Sequence, residues 1–130
     1  MQQNEVEKRA HPRYAVSNLN FMKARLDRSS AEEKILTLSV GGCGFVAFDR
    51  SWLKAEGKRV NSVFELSFPD KVGPFIIQGN VVYVKPITLQ GRPVYYIGVQ
   101  FVAEEASRIR PILETLLDLN KKSIINIVAT

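Results

Sequence analysis

From Tyr14 to Phe101 the apolar residues come in short runs broken by glycine, proline and polar clusters, and no helical period intervenes. That pattern restricts the chain more than any other feature. Met22, Ala24 and Leu26 alternate with Phe21, Lys23 and Arg25, the period-two signature of a half-buried strand. Residues 27–33 read as a turn, and Ile35, Leu36 and Leu38 as a second strand. Gly41, Gly42 and Gly44 punctuate the entry to a third strand, Phe45–Phe48. Residues 50–59, around Trp52 and Leu53, read as a loop with a helical turn. Val63–Phe68 ends at Pro69-Asp70. Phe75–Val84 is interrupted by Gly79 and closed by Pro86. Residues 88–93 form a turn, and Val94–Phe101 is the last strong strand. Short strands joined by turns predict an antiparallel barrel or sandwich.

The end of the chain changes period. Ile109, Ile112, Leu113, Leu116 and Leu117 make one apolar helical stripe, placed to cap the β core. Pro111 interrupts it, so the helix either restarts with Pro111 in its first turn or kinks there. Residues 121–130 form a tail whose β-branched stretch fits a closing strand or an interaction segment. Residues 1–13 are polar and charged, without apolar periodicity, and read as a flexible N-terminal arm. Residues 14–120 then form one domain of barrel plus helix.

Composition narrows the function. The 130 residues carry a net charge of +5, which favours anionic partners. The positive charge is scattered over Lys23, Arg25, Lys54, Lys58 and Arg59 without an aromatic ladder, so no nucleic-acid polymer is expected. The one cysteine, Cys43, permits no intramolecular disulfide and fits a reducing compartment. The start lacks a signal-peptide pattern and no run has transmembrane length, so a cytoplasmic protein without membrane insertion is expected. His11 is the sole histidine, which rules out a multi-histidine metal site. There is no P-loop, metal-ligand spacing or paired-carboxylate motif, and the chain reads as a non-enzyme.

Two motifs carry chemistry. The first is Lys8-Arg9-Ala10-His11-Pro12-Arg13. Guanidinium is planar, permanently charged and forked, so Arg9 and Arg13 suit phosphates and stack on bases. In extended chain they would lie about 13 Å apart at about 3.3 Å per residue, so a bent arm would set each on a different part of one ligand. The second is Thr37-Leu38-Ser39-Val40-Gly41-Gly42. A serine hydroxyl donates and accepts, and glycines let backbone N–H groups face a ligand. Alone, each motif also fits a bland reading, solvated arginines or an ordinary glycine-rich connection.

Their order and spacing resemble the PilZ domain family. Its hallmarks are an arginine pair with three intervening residues and then an Asp/Asn-x-Ser-x-x-Gly turn. Tyr95-Tyr96-Ile97-Gly98-Val99-Gln100-Phe101 is similar to the family's late strand, and a C-terminal helix follows. The resemblance spans about Lys8 to Leu119. It implies an all-β core, a six-stranded antiparallel β-barrel with a C-terminal α-helix. It also implies a receptor for cyclic di-GMP, with no other cofactor. Arg9 and Arg13 would hold phosphates and stack on guanines, and Ser39, Gly41 and Gly42 would line the other wall. Thr37 departs from the pattern, because the family prefers Asp or Asn there. Lys8 stands where the family often has Arg, which leaves the number of bound ligands open. Ordering of the arm by the ligand would signal to a downstream protein. The alternative is a PilZ-like interaction module that does not bind nucleotide.

Overall fold

The computed structural model describes residues 11–17, 19, 22–25, 33–64, 67–68, 71–72 and 75–130. The strands, in chain order, are β1 (Tyr14–Ala15), β2 (Met22–Arg25), β3 (Glu33–Leu38), β4 (Gly42–Ala47), β5 (Arg59–Phe64), β6 (Ser67–Phe68), β7 (Lys71–Val72), β8 (Phe75–Leu89), β9 (Arg92–Phe101) and β10 (Val128–Ala129). One helix, α1 (Ala106–Lys121), follows β9. The expected antiparallel β core with a C-terminal helix is therefore present. Leu26 and the expected turn at 27–32 lie outside the described residues.

The described strands number more than the six expected. Eight share one sheet in the order β10-β1-β3-β2-β5-β8-β9-β4, and β6 pairs with β7 in a separate ribbon. The additions are short. β1 pairs with the end of β3, Tyr14 opposite Leu38, while β2 pairs with its start, Lys23 opposite Lys34. β10 adds beyond β1. On its other edge β3 pairs with β4, which also pairs with β9.

Several boundaries differ from the sequence reading. Gly42 and Gly44 belong to β4 rather than to the turn before it. β5 runs Arg59–Phe64, so the expected strand Val63–Phe68 is divided, with Ser67–Phe68 in the separate ribbon. β8 continues through Pro86 to Leu89, and the chain reverses at Gln90–Gly91, whose positive φ values of 52° and 78° make a tight hairpin. Pro86 is tolerated because the last β5 partner along β8 is Asn80. Beyond it β8 pairs only with β9 among the described residues, leaving an edge where a missing N–H breaks no ladder bond.

The inward residues alternate as a pleated sheet requires. Ile35, Leu38, Phe45, Ala47, Val60, Ile77, Ile97 and Val99 are buried. Trp52, in a short helical turn after β4, meets Phe45 edge to face with centroids 5.0 Å apart. The helical stripe closes this core. Ile109, Ile112, Leu113 and Leu116 are buried, each worth about 1.5–3 kcal/mol relative to exposure. Pro111 sits inside α1 on its exposed side. It gives up its bond to the Ser107 carbonyl, and the helix continues because the buried stripe holds both halves.

Glu105 has a role the sequence reading did not give it. Glu104 and Glu105 precede the helix, where acidic residues suit an exposed first turn. Glu105 is instead buried and accepts the Gln78 backbone N–H at 2.7 Å, while Arg108 pairs with its other oxygen at 2.9 Å. The carboxylate thus ties the start of the helix to β8.

Candidate functional site

A cavity of about 720 Å³ lies where β3, β4, β8 and β9 run side by side, with Arg13 and His11 at its margin. Its size falls within the roughly 300–1,000 Å³ of small-molecule sites. Arg13, Thr37, Ser39, Gly41 and Gly42 all line it. Arg13 and the motif some twenty-five residues later thus meet because β1, which directly follows Arg13, pairs with the end of β3. Lys8 and Arg9 lie outside the described residues.

The floor of the cavity is backbone. Thr37 pairs with Gly44, Gly44 with Gly98, and Gly98 with Tyr83, so one row crosses four strands with two glycines at its centre. A Cβ at Gly44 would come within 3 Å of the Thr37 Oγ1 and the Tyr96 hydroxyl. A Cβ at Gly98 would collide with the Tyr83 ring, and one at Gly42 with the Val99 carbonyl. These glycines permit close approach between strands and their neighbours.

Each end of the row carries a β-bulge. In β3, Leu36 is inserted between Ile35, opposite Phe45, and Thr37, opposite Gly44. In β8, Val82 is inserted between Val81, opposite Val99, and Tyr83, opposite Gly98. An inserted residue re-aims the side chains after it. Here it brings Thr37 and Tyr83 to the cavity wall, and Val82 with them.

Ser39 shapes the turn from within. Its Oγ accepts the backbone N–H groups of Gly41 and Gly42, each at 3.2 Å, and donates to the Gly42 carbonyl at 3.4 Å. The Ser39 N–H donates to the same carbonyl at 2.9 Å. The two glycine N–H groups expected to face a ligand are therefore turned toward Ser39. A serine followed by two glycines closes a tight loop between β3 and β4, with Gly41 against the His11 ring.

The wall opposite that turn is aromatic. Tyr83 and Tyr96 stand with ring centroids 6.0 Å apart at a tilt of 45°. Burial pushes the Tyr83 phenol above its ordinary value, and the neighbouring Tyr96 adds to the push. The Arg13 guanidinium opposes it, which sets a permanent positive charge near the phenol. At neutral pH the hydroxyl keeps its proton and can donate to an anion or a base edge. The site therefore combines a cation, hydroxyls and aromatic faces, the rings seated over a glycine floor. Those groups suit a planar, negatively charged ring compound.

The sequence reading missed Tyr83 and Tyr96, since each sits in a strand pattern that reads as ordinary packing. A signal was available in the glycine of the late strand: a glycine in a strand interior leaves room for an aromatic ring from the next strand. Cys43, Val99 and Gln100 complete the rim, and Cys43 is buried as a small packing residue.

The sequence matches the PilZ domain family over residues 7–118, and the chain belongs to that family. No curated protein matches the chain. Among solved structures, the K. pneumonia MrkH–c-di-GMP complex is similar with a TM-score of 0.65 and 21% identity, over 89% of this chain and 55% of that one. The chain thus spans about half the length of MrkH. The PilZ domain with c-di-GMP of YcgR from Escherichia coli has a TM-score of 0.61 and 13% identity, over 89% of this chain and 97% of that one. Borreliella burgdorferi PlzA in complex with c-di-GMP has a TM-score of 0.52 and 11% identity, over 92% and 56% of the two chains. These likenesses concern the fold.

Proposed function

We propose that this PilZ domain is a receptor for cyclic di-GMP and performs no catalytic step. The observation that carries the reading is the convergence of Arg13, Thr37, Ser39, Gly41 and Gly42 on one cavity. Three similar structures are described as complexes with this ligand. The dianion meets the Arg13 guanidinium, whose charge-assisted bonds to phosphate are stronger than neutral ones. A guanine lies against the tyrosine rings that cover the glycine row, with Thr37 and the tyrosine hydroxyls at its edges.

Lys8 and Arg9 precede Arg13 and add charge for the second phosphate or for a second ligand molecule. Binding orders the part of the 1–13 arm that precedes the backbone-anchored Arg13, and the ordered arm presents a surface to a downstream protein. The conformational entropy lost in the arm is offset by the charge-assisted contacts. The domain division follows, with 1–13 as the arm, 14–120 as the binding unit and 121–130 as the tail. The sequence of pairings β3-β2-β5-β8-β9-β4, with β4 pairing again to β3, supports reading that unit as a six-stranded barrel. No helix among the described residues is long and apolar enough to cross a membrane. We assign the protein to the cytoplasm, where the messenger is found in bacteria.

One observation favours a second reading. Thr37 replaces the Asp or Asn that would accept from a guanine edge, and a domain without that acceptor suits a nucleotide-independent interaction module. Calorimetric titration with cyclic di-GMP separates the two. The receptor reading expects saturable heat for the wild type and loss of it for Arg13→Ala. No heat at high-micromolar ligand on folded wild type rejects the receptor and leaves the module.

A further inference from the structure

The two-residue strand that carries Arg13 to the cavity is held from both sides. On one side Tyr14 and Ala15 pair with Leu38 and Thr37 of β3. On the other they pair with Ala129 and Val128 of β10. The contact extends one residue further, to Arg13 itself. The Thr130 backbone N–H donates to the Arg13 carbonyl at 2.9 Å. The residue whose guanidinium reaches the cavity is therefore fixed at its own backbone by the C-terminal strand.

That strand is itself anchored. The turn after α1 places Ser123 at a φ of 60°, and Ile124 N–H returns to the Leu119 carbonyl at 2.9 Å. Ile127 is buried, and its N–H donates to the Asn120 side chain at 3.1 Å. The segment from Lys122 to Thr130 is thus braced at both ends, by the helix and by β1. A two-residue strand fixed on one edge alone would be marginal. β10 supplies the second edge.

We propose that residues Ile127–Thr130 are a positioning element for the ligand site. They clip the backbone at Arg13 so that its guanidinium is held at the cavity before an anion arrives. The inference rests on the reading of Arg13 as a cyclic di-GMP contact. Preorganisation of this kind raises affinity by removing part of the ordering cost of binding. Coupling is reciprocal, so a ligand that grips Arg13 must tighten the Thr130 bond by the same factor.

Two substitutions at one position isolate the bond. Thr130→Pro removes the N–H, and its effect on Ala129 is to favour extended backbone, which β10 already has. Thr130→Ala keeps the N–H and loses only the hydroxyl, whose own bond to the Arg13 carbonyl is longer, 3.5 Å. Cyclic di-GMP titration is expected to give about three- to tenfold weaker binding for Thr130→Pro, the scale of one hydrogen bond, and wild-type affinity for Thr130→Ala. Exchange of the Thr130 amide in the wild type is expected to slow when cyclic di-GMP is added. A variant lacking residues 128–130 checks the same point if Thr130→Pro melts early. Wild-type affinity in both Thr130→Pro and the shortened chain, or a Thr130 amide indifferent to ligand, overturns the clip and leaves the receptor reading standing. A wild type that binds no cyclic di-GMP removes the receptor reading and this inference together.

Discussion

Gly44 on β4 stands directly opposite Gly98 on β9, and this pair makes the floor between Thr37 and Tyr83. Gly44 and Gly42 respond differently to a methyl group. At Gly44 the obstructing atoms are the ends of two side chains, Thr37 and Tyr96. At Gly42 the obstruction is the Val99 backbone carbonyl. Gly44→Ala is expected to fold, displace both hydroxyls and weaken cyclic di-GMP binding about tenfold or more, whereas Gly42→Ala is expected to cost about 2 kcal/mol or more of stability. Urea unfolding beside calorimetry checks the pair. Equal stability losses in both variants contradict the distinction.

Thr37 is the position where a stronger acceptor should help. A carboxylate there accepts with charge assistance and has the Tyr96 hydroxyl and Arg13 as neighbours. Thr37→Asp is expected to tighten binding by up to about tenfold, the net scale of one hydrogen bond. Unchanged or weaker affinity in a titration would mean that the guanine edge lies elsewhere.

Ser39 acts on the turn. Removing its hydroxyl leaves the Gly41 and Gly42 N–H groups without their acceptor. Ser39→Ala is expected to cost about 1 kcal/mol of stability and to loosen the turn, lowering affinity as well. Denaturant midpoints for the ligand-free protein test the first effect apart from the second, and an unchanged midpoint would give Ser39 a ligand contact only.

Glu33 gives a pH dependence with a definite sign. Burial raises its carboxyl above the ordinary value of 4.5; the Phe48 backbone hydrogen bond lowers it and Asp49 raises it again. The folded state therefore holds the proton more tightly than the unfolded chain. Its contribution is most favourable below pH 4.5 and falls as pH rises through the raised folded value. Glu33→Gln is expected to stabilise the protein at pH 7 and to change little at pH 4. Urea midpoints at the two pH values check this, and a loss of equal size at both contradicts it.

Much of this fold is legible from residue types. Alternation across Met22–Arg25, the run Val94–Phe101 and the stripe Ile109–Leu117 each marks its element. Arg13 and the serine–glycine motif mark two sides of the cavity. The bulges at Leu36 and Val82 are not legible, since an inserted residue leaves apolar content unchanged and shifts only the register. For that reason the place of Tyr83 in the cavity wall is not legible either. The strand pairing of Val128–Ala129 with Tyr14–Ala15 is equally hidden, because its partner lies at the opposite end of the chain.

The most direct test is an NMR titration of the isotope-labelled protein with cyclic di-GMP. The account predicts that the backbone amides of Gly41, Gly42, Gly44 and Gly98 and the side-chain Nε–H of Arg13 shift together and saturate with one isotherm. Saturable shifts confined to other residues, with these five signals unmoved, would contradict it.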